Sequence, residues 1–193
     1  MFLKIIKSRL LIWLILAIPF LYICYGYYIG VLFYGEVVHL SGKISIQLLF
    51  LSLFVTPFIR SFPGRNFSKW LLVSRRYFGV ASFFYALMHT IIYLNQVNNI
   101  DRIFQDFKGL DYLSGWIALI IFMILAITSN NYSQKIMRRN WKKLHRTVYL
   151  ATALIFAHWI LTAFDRTTAI TYLFVLSGVE LYRIWHYRRK LVF

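Results

Sequence analysis

Long apolar runs separated by short clusters of basic residues dominate the chain. Six runs reach or approach the roughly 20 apolar residues that a helix needs to cross a bilayer. They are Leu10–Leu32, Ile44–Ile59, Tyr77–Val97, Tyr112–Thr128, Leu144–Phe164 and Thr168–Trp185. Helices are required, because open strands would leave backbone groups unpaired in hydrocarbon. Pro19 and Pro57 fall inside the first two runs, where a kink is tolerable, and charges crowd the ends of the second and sixth. No internal repeat, low-complexity linker or soluble domain breaks the series. The pattern predicts an all-α, polytopic membrane protein, with residues 1–193 forming one transmembrane domain of about six helices. Lys4, Lys7 and Arg9 before the first run resemble the start of a signal peptide. No small-x-small cleavage site follows, so the run is read as a retained helix.

Composition agrees. The chain is 60% hydrophobic and 15% charged, against about half and a quarter in soluble domains, so lipid must cover the excess apolar surface. A net charge of +16 raises the question of nucleic acid, but the basic residues sit between apolar runs and not along one soluble face, which excludes it. Clusters of this kind mark loops facing anionic lipid on the cytoplasmic side. With six spans, only Lys43, Arg102, Lys108 and Arg166 fall opposite the amino terminus, together with every acid except Glu180. Both termini are therefore expected in the cytoplasm. Trp70, Trp116, Trp141 and Trp185 fall at the expected membrane edges. One cysteine, Cys24, allows neither an internal disulfide nor an iron–sulfur site.

Histidine is the residue here that carries chemistry. An ionisable group at bilayer depth is costly and usually functional. His89 in the third run lies 13 residues beyond Arg76, a climb of about 20 Å, and His158 in the fifth lies 15 residues beyond Lys143. Both are expected in the outer half of the membrane at matching depth. Two imidazoles so placed meet the requirement for bis-histidine ligation of a haem iron; hydrogen bonding across a helix interface is the plainer alternative. Ala86, Thr90, Ala157 and Thr162 are slim neighbours that leave room for a macrocycle. His145 lies 13 residues before His158, about 20 Å lower and pointing about 140° away on a continuous helix, so a second haem is conceivable. Its partner is not evident: Arg76 stands at the corresponding place in the third run and stays protonated. Arg75 or Arg76 suits a haem propionate, a flavin phosphate or a lipid head group. His186 is a further candidate inner ligand, while His39 and His186 also read as water-side residues. The spacing of Glu180 and Arg183 predicts an ion pair.

Several stretches carry a family resemblance. They are Leu-Phe-Val-Thr-Pro-Phe-Ile-Arg (53–60), Ser-Arg-Arg-Tyr-Phe-Gly (74–79), Tyr-Ala-Leu-Met-His-Thr (85–90), Ala-Ile-Thr-Ser-Asn (126–130) and Trp-Lys-Lys-Leu-His-Arg-Thr-Val-Tyr-Leu (141–150), then Phe-Ala-His-Trp (156–159). In this order they resemble the MsrQ (YedZ) family, haem-binding membrane subunits of bacterial methionine sulfoxide reductase systems, within the ferric-reductase-like transmembrane superfamily. The resemblance implies one or two haems b, with His89, His145 and His158 at the family's histidine positions. It admits FMN and quinone as further cofactors. It implies a place in the bacterial inner membrane, with electrons arriving from a cytoplasmic flavin reductase or the quinone pool. They would leave to a periplasmic molybdopterin-dependent methionine sulfoxide reductase. Another ferric-reductase-like electron conduit, a transporter and an anchoring subunit are the rival readings. Against a transporter, the spans contain no pair of Gly/Pro-interrupted helices.

Overall fold

The structure is a computed structural model that describes residues 9–61, 66–163 and 165–189. Among these residues there are nine helices and no strand. They are α1 (Arg9–Tyr28), α2 (Tyr34–Ser61), α3 (Asn66–Val97), α4 (Ile100–Asp106), α5 (Leu110–Ile127), α6 (Asn131–Met137), α7 (Arg139–His145), α8 (Val148–Thr162) and α9 (Thr167–Arg189). Five stretches are long and apolar enough to cross a bilayer: Leu10–Tyr28, Tyr34–Ser61, Trp70–Val97, Leu110–Ile127 and Arg139–Thr162. The sixth expected span is helical as α9, but its charges keep it outside that group.

Helix ends differ from the apolar runs for local reasons. The first helix stops at Tyr28 and not Leu32, because Gly30 takes φ +72° and closes a Schellman turn. The Val31 N–H bonds the Gly26 carbonyl at 3.0 Å and the Gly30 N–H bonds that of Tyr27 at 3.2 Å. The second helix begins ten residues before Ile44. The Glu36 carboxylate accepts the Phe33 N–H at 2.9 Å, and Val37 and Ser41 are fully buried, so the polar letters around Lys43 belong to helix. Asn98, at φ +39°, ends α3. The expected fifth span is two helices joined at residues 146 and 147. There the Arg146 and Thr147 N–H groups reach back three residues, to Lys143 and Leu144. Such 3₁₀-type steps turn about 120° per residue, so the continuous-helix angle between His145 and His158 does not hold. Asp165 accepts the Thr167 N–H at 2.9 Å at the start of α9, and that bond holds its carboxyl below the usual range.

The chain packs as two compact units, Met1–Ser52 with Gly64–Ile103 and Leu53–Pro63 with Phe104–Phe193. In the first, Ile23, Val37, Leu48, Ala81, Tyr85 and Met88 form a buried cluster from α1, α2 and α3. Tyr85 donates its hydroxyl to the Leu16 carbonyl at 2.8 Å. Ser45 and Ser82 exchange bonds across α2 and α3, each hydroxyl 2.8 Å from the other's carbonyl. Small residues here let two backbones approach, which is how helices associate where lipid supplies no hydrophobic drive.

In the second unit α5 packs along α8. Ser114, Ala118, Phe122 and Leu125 make one buried stripe of α5, and Ala151, Thr152 and Phe156 are buried on α8. Arg183 of α9 pairs with Glu180 at 2.8 Å, as their spacing predicts, and its guanidinium lies 4.9 Å above the Tyr149 ring. Ser82→Leu should overpack the first unit and cost about 1–3 kcal/mol. A lowered thermal unfolding midpoint in detergent, with helical content unchanged at low temperature, is the expected measurement.

Candidate functional site: imidazoles held by helix carbonyls

His89 lies two turns before the end of α3. Its Nδ1 stands 2.9 Å from the carbonyl oxygen of Val38, in the opening turns of α2. A carbonyl only accepts, so Nδ1 carries the proton and donates, and in the neutral form of such a ring the lone pair is on Nε2. His158 repeats the arrangement one turn before the end of α8. Its Nδ1 stands 2.7 Å from the carbonyl of Asp111, in the first turn of α5. Both rings are partly buried.

Each contact needs a glycine one turn further along the accepting helix. A Cβ on Gly42 would lie 3.2 Å from Nδ1 of His89, and one on Gly115 only 2.9 Å from Nδ1 of His158. The residues in front of these glycines match as well: Leu40-Ser41-Gly42 and Leu113-Ser114-Gly115. This recurrence of three residues is too short to be an internal repeat, and it follows the shared local geometry. Its signal was the triplet opposite each buried histidine; it stays invisible until the helices are paired.

His145 is held differently. Its Nε2 lies 3.1 Å from Oγ1 of Thr128, whose hydroxyl reaches the Ile124 carbonyl at 2.7 Å. With the hydroxyl proton on Ile124, Nε2 is the donor, and His145 takes the opposite tautomer. Trp141 stacks on the ring with centroids 3.9 Å apart and donates Nε1–H to the Thr128 carbonyl at 2.9 Å. Trp141 therefore clamps His145, a role its reading as a membrane-edge residue missed. Within the second unit, His145 and His158 meet opposite ends of α5, about 25 Å apart along the axis.

The other candidates are dispersed. Arg75 and Arg76 are partly buried on α3, fourteen and thirteen residues before His89 on one continuous helix. Ser74 beside them is fully buried, and its hydroxyl has no hydrogen-bond partner among the described residues. His39 is exposed on α2. His186 falls in α9, with its side chain outside the described residues. Cys24 is an exposed free thiol. Among the described residues no three His, Cys, Asp or Glu side chains cluster as for a metal ion. Each of the two carbonyl-held imidazoles, taken within its own unit, offers an Nε2 lone pair, a donor whose chemistry fits haem iron.

The sequence matches the family model of the ferric reductase like transmembrane component over residues 41–156. A protein-methionine-sulfoxide reductase heme-binding subunit MsrQ from Brucella anthropi is 33% identical over 185 residues, covering 90% of this chain and 81% of that protein. Proteins of the same name from Brucella ovis and Brucella canis are each 34% identical over 150 residues, covering 76% of this chain and 66% of theirs. The chain belongs to the MsrQ family of ferric-reductase-like transmembrane proteins. The family-model match runs through both compact units, takes in Gly42, His89, Gly115 and His145, and ends two residues before His158. Solid-state nitrogen-15 NMR of the histidine-labelled apoprotein should show His89 and His158 protonated at Nδ1 and His145 at Nε2. Single His→Ala variants assign the signals, and an Nε2–H signal from His89 or His158 would contradict the carbonyl contacts.

Proposed function

We propose that this chain is the haem b-binding membrane subunit of a methionine sulfoxide reductase system. It passes electrons from a cytoplasmic-side flavin reductase or quinol across the bacterial inner membrane to a periplasmic molybdopterin-dependent reductase. The supporting observation is the matched state of His89 and His158, each on an apolar helix and each with Nδ1–H tied to a helix carbonyl. The curated relatives are named heme-binding subunits, which agrees with that donor set. Bound haem b would supply a one-electron carrier in the hydrocarbon. His89 and His158 would hold it through Nε2, while the Val38 and Asp111 carbonyls would fix ring orientation and raise ligand basicity. Arg75 and Arg76 offer partly buried cations for propionates. His145 enters as a ligand only if Nε2 gives up its proton and its bond to Thr128.

The reading includes a sixth span. Glu180 and Arg183 lower the apolarity of α9, yet they neutralise each other, so their cost in lipid is far below that of two isolated charges. Six spans put both termini on the cytoplasmic side with the basic loops. Dithionite-reduced, purified protein should show low-spin haem b bands, and His89→Ala or His158→Ala should abolish them. Full bands in both variants would refute these ligands.

A further inference from the structure

The triplet Leu-Ser-Gly occurs at 40–42, 113–115 and 176–178. At the first two places the serine reaches the same carbonyl as the histidine. Ser114 Oγ lies 2.8 Å from the Asp111 carbonyl that holds His158. Ser41 Oγ lies 3.0 Å from the Val38 carbonyl that holds His89, and closer, at 2.8 Å, to that of Val37. Both serines are buried, Ser41 fully. The third triplet differs among the described residues: Ser177 is exposed, and a Cβ on Gly178 would meet nothing within 4 Å.

We infer that Ser41–Gly42 and Ser114–Gly115 are positioning residues that tune the two imidazoles, the glycine admitting the ring to the carbonyl and the serine competing with it for that oxygen. This rests on the reading of His89 and His158 as haem ligands. A carbonyl has two lone pairs, and a helical one already serves its own helix. A hydroxyl and an imidazole N–H on the same oxygen therefore weaken each other. Removing the hydroxyl strengthens the Nδ1–H bond, makes the imidazole more basic and favours oxidised iron, which lowers the midpoint potential. A methyl group on the glycine pushes the ring away and does the reverse. General loosening of the fold has no reason to move the potential in opposite directions at neighbouring residues.

The test is a potentiometric titration of the purified full-length haem protein. Ser114→Ala should lower the potential and Gly115→Ala raise it, each by up to about tenfold in the one-electron equilibrium, or about 59 mV. Ser41→Ala should shift it the same way as Ser114→Ala but less, since its shorter contact is to Val37. Gly42→Ala follows Gly115→Ala, and Gly178→Ala should leave the potential unmoved. Loss of haem in either cradle glycine variant, with Gly178→Ala fully loaded, also supports the glycine role, and the serine variants then decide the tuning. Serine variants at the parent potential, or serine and glycine variants shifting alike, would overturn the inference while His89→Ala and His158→Ala still lose haem. A parent protein without haem bands overturns the haem reading, and this inference falls with it.

Discussion

An imidazole inside a membrane helix must place its N–H on an acceptor, because an unpaired polar hydrogen in hydrocarbon costs several times what a bond returns in water. Here the acceptor is the backbone of the antiparallel neighbour, Val38 for His89 and Asp111 for His158. A side-chain acceptor would bring a second polar group needing its own partner. A helix carbonyl is already present and has capacity for another donor. The single bond then settles the tautomer, the ring plane and the atom that keeps its lone pair. It also shapes the sequence around it, since a Cβ on the next turn would crowd the ring, at 3.2 Å from Gly42 and 2.9 Å from Gly115.

The packing of each unit serves that close approach. In the first, the exchanged serine bonds between Ser45 and Ser82 sit one turn or so from Gly42 and two turns from His89, so they clamp α2 and α3 where the imidazole crosses. Tyr85, one turn before His89, ties the same stretch of α3 to α1. In the second, the buried stripe on α5 starts at Ser114 beside Gly115 and continues through Ala118, Phe122 and Leu125. Small residues stand at the histidine end and large ones beyond. Small side chains thus leave room where the imidazole meets the backbone, and bulkier ones fill the stripe further along.

Much of this was legible in the sequence. The apolar runs located the cores of five spanning stretches within a few residues, because hydrocarbon length and helical rise leave little freedom. His89 and His158 stood out by position alone. The errors came where local backbone chemistry overrides hydropathy. Gly30 ends α1 inside an apolar run through its positive φ, and Glu36 starts α2 across a polar stretch. Three-residue backbone bonds at Arg146 and Thr147 split a run that reads as continuous. The Leu-Ser-Gly recurrence escaped notice for another reason. Three residues carry little weight as a pattern, and the third copy, where a Cβ on Gly178 would meet open space, shows that the triplet acquires meaning only from its partner helix.

The histidines of the second unit show why depth in the membrane is an incomplete guide to chemistry. His158 and His145 meet the two ends of α5, and both are partly buried. At one end the partner is a carbonyl, which forces the proton onto Nδ1. At the other it is a hydroxyl whose own proton is spent on Ile124, which forces the proton onto Nε2. The Trp141 ring then closes over His145 and fastens itself to the same threonine. Reversing that tautomer requires the Thr128 hydroxyl to leave Ile124 while the indole holds both groups in place. The two rings thus differ in the partner that fixes them, a backbone carbonyl at one end of α5 and a threonine hydroxyl at the other.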